Sequence, residues 1–501
     1  MNLARAVGLA DVTIAKRPSL ATGLVLLAAS VWINLGSFHR LQNGDSIVPV
    51  LVSLERWTPF YWEQGRFGML VPLLALPFRH PLANLIFQNI LTCALGLAAF
   101  FLVARLFLRR RWFAVGALSC ALFILLTSAT TRFEYLGTPQ PYGTSLGLAL
   151  LGTVGLLSHD PRSPWAGAAG LAIAAALWVS PTSALFVVPA LVAEGALVRQ
   201  YPKRRLVAAL AWVCLGFAAA EALSRVLGES HSIAAPDSWG RTIVVMARNA
   251  FRAYLGEGLA VLMAAGLLVG ARIIGGGPSS RKRLLDAGVV TVGALAAIIG
   301  MAVVGRVAED PSERYALTGI VPLIVAAVAV CGEAARSVAG WRLRFARPTV
   351  GLLALTVSIV LAYGPPSLAT VRHDVDRLLG AYTQSLIDTR ATHFVGSYWK
   401  VWPAVFHFNL TLYERGSDLR LWGVTHRSRP TAESWLNLRE WRLAAPADEA
   451  EILWWVRGYG LPFTEPVLVH GNVLMLRFID GERAPSGFPV PQRFVPGMER
   501  E

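Results

Sequence analysis

Residues 82–111 read LANLIFQNILTCALGLAAFFLVARLFLRRR. The apolar part of this stretch, 82–107, holds one charge, Arg105, and is followed at once by Arg109, Arg110 and Arg111. A bilayer core accepts ~20 consecutive apolar residues in a helix, and Arg at one end resists translocation. The stretch therefore reads as a membrane helix with its basic end held in the cytoplasm. Ten further runs share its character, at 20–36, 112–128, 144–157, 165–179, 183–198, 206–223, 255–274, 287–305, 317–333 and 349–365. A soluble protein can bury one or two such helices, but not eleven. The expected fold class is an α-helical polytopic membrane protein with about eleven transmembrane helices. Composition agrees: the 501 residues are 54% hydrophobic and 15% charged, against ~25% charged in ordinary soluble proteins.

A net charge of +15 would suit a nucleic-acid partner, but the distribution of charge argues otherwise. Basic residues collect in alternate loops: Arg5, Lys16 and Arg17; Arg105 and Arg109 to Arg111; Arg162; Arg199 and Lys203 to Arg205; Arg272 and Arg281 to Arg283; Arg336, Arg342, Arg344 and Arg347. These loops hold 20 Lys or Arg against the loop acids Asp11 and Asp160, while segment 366–501 balances 15 basic with 15 acidic residues. Such asymmetry sets orientation in a membrane. The N-terminus is expected in the cytoplasm of an inner (plasma) membrane protein, with an uncleaved first helix and no nucleic-acid partner. Cys93, Cys120, Cys214 and Cys331 all lie in apolar runs. They read as core residues without metal-ligand spacing, and no cofactor motif or metal site is read.

The orientation places loop 37–81 outside. It is aromatic (Phe38, Trp57, Phe60, Tyr61, Trp62, Phe67) and is expected to carry helices lying along the membrane surface. Its apolar piece from Met69 to Phe78 has ten residues and two prolines, Pro72 and Pro77, too few to span. A transmembrane domain over 1–365 is expected to give way, after Pro365-Pro366, to a small extracytoplasmic α+β domain over 366–501. There, Ser367 to Thr389 reads as helical; His393 to Trp399, Leu419 to Thr425, Ile452 to Val456 and Val467 to Phe478 read as strands. The last folds into a hairpin at Gly471-Asn472, and the Pro-rich end after ~484 reads as a loose tail.

Chemistry is expected in the outer loops. Asn43-Gly44-Asp45-Ser46 sets an acid just beyond the first membrane helix, followed by Glu63-Gln64-Gly65-Arg66-Phe67-Gly68-Met69-Leu70-Val71-Pro72. Asp45 there can take a proton from a hydroxyl or amine as a general base. Arg66 can neutralise a phosphate leaving group with its planar fork. Glu63, Tyr61 and Trp62 border the same run. The second outer loop offers Glu134 and Tyr135, with Arg132 beside them, and the loop before residue 317 offers Arg314 and Tyr315. His407 and His470 read as structural, and Asn409-Leu410-Thr411 as a formal glycosylation acceptor.

On Asp45 and the stretch from Phe60 to Pro72, the N-terminal half resembles the polyprenyl-phosphate-sugar-dependent glycosyltransferases of the GT-C superfamily. The family includes protein O-mannosyltransferases, lipid A aminoarabinose transferases and lipopolysaccharide galacturonosyltransferases. The shared layout is many membrane helices, an acid in the first outer loop, and an aromatic–Gly–Arg–small–Pro run. Ser397-Tyr398-Trp399-Lys400-Val401-Trp402 is similar to a Tyr-Trp segment in some relatives. The resemblance implies transfer of a sugar from a polyprenyl phosphate to a glycan, lipid or protein acceptor of the cell envelope, with inversion at the anomeric carbon. It implies Asp45 as catalytic base, donor binding by Arg66, and substrate contacts from the neighbouring aromatic residues, Tyr398 included; Arg314, with Tyr315 beside it, can reach a donor phosphate as well. Many members carry paired acids in the first loop, whereas Asp45 is flanked by Gly44 and Ser46; Glu134 is the candidate second carboxylate. Two rival readings stand beside this one. One is a transporter or flippase of a lipid-linked substrate, against which Glu194, Glu221, Glu257 and Glu333 lie near helix ends rather than at the midplane, where transporters keep ionisable groups. The other is a non-catalytic scaffold of the same fold.

Overall fold

A computed structural model of the chain describes residues 18–36, 42–61, 67–108, 111–139, 141–227, 278–303, 313–339, 348–417, 420–425, 442–449 and 467–477. In chain order its helices begin with α1 (Pro18–Gly36), α2 (Gly44–Leu54), α3 (Leu70–Ala75), α4 (Pro81–Val103), α5 (Trp112–Leu126) and α6 (Ala129–Arg132). Next come α7 (Pro141–Ser158), α8 (Pro164–Val179), α9 (Ala184–Ala193), α10 (Lys203–Leu227), α11 (Pro278–Val303), α12 (Leu317–Ala339) and α13 (Pro348–Tyr363). The last are α14 (Leu368–Leu379), α15 (Thr383–Asp388) and α16 (Tyr398–Glu414). Five strands accompany them: β1 (His393–Val395), β2 (Trp422–Val424), β3 (Arg442–Pro446), β4 (Val467–Val469) and β5 (Val473–Arg477).

Ten of the eleven apolar runs coincide with helices, and the run at 255–274 lies outside the described residues. Among the described residues, five helical segments are long and apolar enough to cross a membrane by length and composition: Ser19–Gly36, Pro81–Leu108, Pro181–Val198, Lys203–Leu227 and Pro348–Leu379. Their outward faces are apolar as well. On α1, Leu20, Leu24 and Leu27 are exposed at helical spacing; on α13, Leu353, Val357, Val360 and Leu361 are. A helix apolar on all sides suits lipid rather than water, and a face of this kind far exceeds the scattered apolar exposure of soluble proteins. This is the surface of a membrane protein. The piece from Met69 to Phe78 forms only the six-residue α3.

The chain divides into two compact units. The first comprises Met1–Phe38, Arg66–Leu70 and Asn89–Pro366. Its helices pack through small residues. Gly143 and Gly147 stand one turn apart on α7. A Cβ at Gly143 would lie 2.8 Å from the Tyr135 carbonyl oxygen and 3.2 Å from Gly96 Cα, and one at Gly147 would lie 2.8 Å from the carbonyl carbon of Leu95. Where lipid surrounds a bundle, close backbone approach through such small residues supplies the packing contacts that hold helices together. Gly147→Leu is accordingly expected to cost about 1–3 kcal/mol, read as a lower melting temperature in detergent. An unchanged melting temperature would mean that α7 and α4 separate freely.

The second unit comprises His39–Gly65, Val71–Gln88 and Ser367–Glu501. Most of the segment 39–88 thus groups with the C-terminal segment. Its sheet has the order β2-β1-β3-β5-β4, with β1 parallel to both β2 and β3, and with β3, β5 and β4 antiparallel. Adjacent parallel strands need a crossover, and α16 provides it between β1 and β2. The β4–β5 hairpin turns at His470 and Gly471, both with positive φ (49° and 74°), as primed hairpin turns require. Helices α14, α15 and α16 are joined by His407, whose ring nitrogens bond Thr383 Oγ1 at 2.7 Å and Asp376 Oδ1 at 2.9 Å. His470 likewise bonds Asp388 at 2.8 Å. Both histidines thus tie segments of this unit together.

Candidate functional site

The segment after α1 enters α2 through Asn43. Its side chain accepts from Ser46 N at 3.2 Å, while Ser46 Oγ accepts from Asn43 N at 3.1 Å. This reciprocal cap satisfies the helix start without Asp45. The carboxylate of Asp45, second residue of the helix and partly exposed, is released from the turn-capping role that Asn-Gly-Asp-Ser suggests. Its position in the first turn is favourable, because unsatisfied N–H groups concentrate positive potential there.

Asp45 is oriented from the far end of the sequence. The Tyr398 hydroxyl donates to Asp45 Oδ1 at 2.9 Å, and the Tyr61 hydroxyl, itself hydrogen-bonded to that of Tyr398, lies 3.5 Å from the same oxygen. Burial, then the Asp45 charge and the Tyr61 partner, hold the Tyr398 phenol well above its ordinary pKa. It stays protonated and keeps donating. Gly44 makes the approach possible, since a Cβ there would run into the Tyr398 ring. Tyr398 itself opens α16 directly after β1, where Ser397 serves as the N-cap. The segment from His393 to Trp399 is therefore a strand only over its first three residues. Its aromatic end is helix.

The other end of α2 is held in the same way. Glu55, which caps it, accepts from Asn409 Nδ2 of α16 at 2.9 Å. Asn409 also exchanges bonds with the backbone of Leu421, accepting from its N–H at 2.9 Å and donating to its carbonyl at 3.3 Å. Helices α2 and α16 thus run parallel, clamped by one carboxylate at each end. Burial pushes the Glu55 carboxyl up to about 8, against the opposing pull of the Arg420 charge and the Asn409 amide. Asn409, read from sequence as a glycosylation acceptor, is committed to these bonds.

The chain is similar to crystal structures of ArnT from Cupriavidus metallidurans. In the apo state the TM-score is 0.49 at 12% identity, covering 95% of this chain and 99% of that one. The form bound to undecaprenyl phosphate gives 0.48 at 13%, covering 93% and 98%. It is also similar to the archaeal oligosaccharyltransferase AglB from Archaeoglobus fulgidus in complex with an inhibitory peptide and a dolichol-phosphate (0.41, 10%, covering 86% and 70%). Both are GT-C proteins. No family model matches the chain. No curated protein matches it either. At these identities no residue role passes from the neighbours, and the assignments here rest on this chain's own geometry.

The remaining sequence candidates fall in several places. Glu134 and Tyr135 lie in a π-helical turn, Phe133–Gly137, in the first unit. Tyr135 was expected to contact substrate, but it is fully buried. Its ring packs on Phe100 and Phe123 at 6.2 and 5.3 Å, and its hydroxyl donates to the Gly96 carbonyl at 3.2 Å. It is a core residue. Glu134 is partly exposed in the same turn. Arg132 donates to the Ile124 and Thr127 carbonyls at 2.7 and 2.5 Å and so closes the end of α5. Arg314, partly buried, sits in the 3₁₀ turn Glu313–Ala316 before α12, and the side chain of Tyr315 lies outside the described residues. Trp62, Glu63 and Arg66 lie outside them too. Just beyond, Gly68 N donates to the Trp178 carbonyl at 2.9 Å, in a contact with no room for a Cβ. Tyr61 and Tyr398, expected to touch substrate, are 8% and 3% exposed, and their hydroxyls face Asp45. Glu194, fully buried, accepts from Gln200 N at 2.7 Å and Tyr201 N at 3.3 Å. It fixes the loop that follows α9. Among the described residues no group of three His, Cys, Asp or Glu stands close enough to hold a metal.

Proposed function

We propose that the chain is a glycosyltransferase of the inner (plasma) membrane that moves a sugar from a polyprenyl-phosphate donor to an envelope acceptor at the outer face. In this reading it has about eleven spans, a cytoplasmic N-terminus and an extracytoplasmic C-terminal domain. The observation that carries it is Asp45, a partly exposed carboxylate just beyond the first apolar helix, freed from capping and aimed by a phenol that stays protonated. The layout of the first outer loop supports the same reading.

Asp45 takes the proton of the acceptor hydroxyl or amine as that atom attacks the anomeric carbon. The bond from that carbon to the phosphate oxygen breaks, and polyprenyl phosphate leaves with the electron pair. Arg66 and Arg314 offset the charge that develops on the phosphate. Attack opposite the leaving group inverts the anomeric centre. Glu134 is the second carboxylate of the proposal. No soluble nucleotide is consumed.

The test uses the full chain in proteoliposomes with undecaprenyl-phosphate-linked sugars carrying a radiolabel, and an envelope extract as acceptor. Label passing covalently to acceptor is the expected result. A labelled lipid that crosses the bilayer unchanged would mark a transporter instead. In the same assay Tyr398→Phe is expected to lower kcat by ~10-fold or more, the cost of a hydrogen bond to a charged group, with KM little changed. An undiminished kcat would separate Tyr398 from the chemistry.

A further inference from the structure

Strand β1 is flanked by β2 on one side and β3 on the other, all three parallel. The chain leaves β1 through α16 to reach β2, then returns across to β3. In parallel sheets, ligands settle outside the carboxyl ends of the strands where connections diverge in this way. The residues just past the carboxyl end of β1 are Tyr398, Trp399 and Lys400; just past that of β3 comes Asp448. Lys400 Nζ and Asp448 Oδ2 are 2.7 Å apart, so the two strand ends meet there.

Trp399 is 48% exposed, although it directly follows a phenol that is almost wholly buried. Its ring meets that of Tyr398 nearly at right angles, 86° with centroids 5.1 Å apart. An edge-to-face contact fixes the indole plane, and with Trp399 half exposed a large apolar surface remains open to solvent. The next residue in the chain, Lys400, carries a cation paired with the Asp448 carboxylate, and that hydrogen bond holds the Asp448 carboxyl below its usual range. A flat apolar face next to ionised hydrogen-bonding groups matches one ligand chemistry well. A sugar ring presents polarised C–H bonds on one face, which the negative face of an aromatic ring attracts, and hydroxyls around its rim.

We propose that Trp399, Lys400 and Asp448 form a binding subsite for a monosaccharide ring. The indole stacks on the ring, Asp448 accepts from its hydroxyls, and Lys400 donates to them. Through Tyr398 the subsite lies one residue from the group that orients Asp45. Its purpose rests on the glycosyltransferase reading, whereas its existence is testable without turnover.

The experiment is saturation-transfer-difference NMR on the full chain in detergent micelles. The probes are millimolar methyl glycosides of glucose, mannose, galactose, N-acetylglucosamine and arabinose. Saturation of ring protons is expected for at least one of them. Trp399→Ala should lower that signal roughly tenfold, as loss of an aromatic anchor does, while Trp399→Phe restores most of it and Asp448→Asn lowers it in part. Because Trp399 is exposed, the melting temperature of the alanine variant should stay near that of the wild type. No signal from any probe, or a signal that Trp399→Ala leaves intact, overturns the subsite. So does an effect of that variant confined to lipid nanodisc insertion, which would mark a membrane-interface anchor. Asp45→Asn should keep the sugar signal. Should that variant keep full transfer, Asp45 leaves the mechanism while the subsite stands; should the wild type transfer no sugar at all, the glycosyltransferase reading fails and the subsite still stands.

Discussion

Asp45→Asn is expected to lower kcat for sugar transfer by about 10²–10⁴, the range that a positioned general base contributes, with expression and melting temperature unchanged. The substitution is close to isosteric. Asn at position 45 still offers Oδ1 to the Tyr398 hydroxyl, and the helix start stays capped by Asn43 and Ser46. What disappears is the ability to take a proton. Initial rates over a range of acceptor concentrations separate the effect on kcat from one on KM. A variant retaining transfer within about threefold would remove Asp45 from the mechanism and leave a polytopic protein whose chemistry lies elsewhere.

Glu55→Gln should stabilise the protein in alkaline solution and do little in acid. The Glu55 carboxyl titrates near 4.5 in an unfolded chain and at about 8 in the folded one, so between those values the folded state holds a proton that the unfolded state has released. Stability then falls as pH rises through this interval, by up to about 1.4 kcal/mol per pH unit for a single group. The contribution is fully present below pH 4.5 and is lost above about 8. Gln mimics the protonated acid, retains an oxygen for Asn409 Nδ2, and removes the negative charge from a helix C-terminus, where it is unwelcome. Melting curves at pH 6 and pH 9 read the effect directly. The wild type should lose several degrees between them and the variant much less. Equal losses would show that Glu55 titrates near its ordinary value.

The membrane helices were legible because each apolar run is long, nearly charge-free and bounded by Arg or Pro; runs 82–107, 112–128 and 349–365 became α4, α5 and α13 within a few residues. The β4–β5 hairpin was legible because short apolar runs, Val467 to Val469 and Val473 to Leu476, flank a Gly-Asn pair. Helix α16 was not. Val401, Val405, Phe406 and Phe408 favour strands, and Pro403 speaks against a helix interior. What decides the matter is burial on nearly every face of α16, which overrides local preference. β3 was missed for the opposite reason, as Arg442-Leu443-Ala444-Ala445-Pro446 has little strand character until β1 and β5 pair with it. Of the site, sequence supplied the acid and named both phenols. It held no sign that they meet, because Asp45 and Tyr398 lie 353 positions apart and no local pattern reports a contact of that separation. Nor did Glu55 and Asn409 declare themselves, the latter reading only as part of a glycosylation triplet.

That separation has a bearing on how the protein is made. At 5–20 residues per second, a ribosome delivers Asp45 many seconds before Tyr398 emerges. A nascent chain or a fragment ending before β1 has the acid and nothing to aim it. On the proposed function, the carboxylate stays unready for any lipid-linked sugar until β1 and α16 have been made.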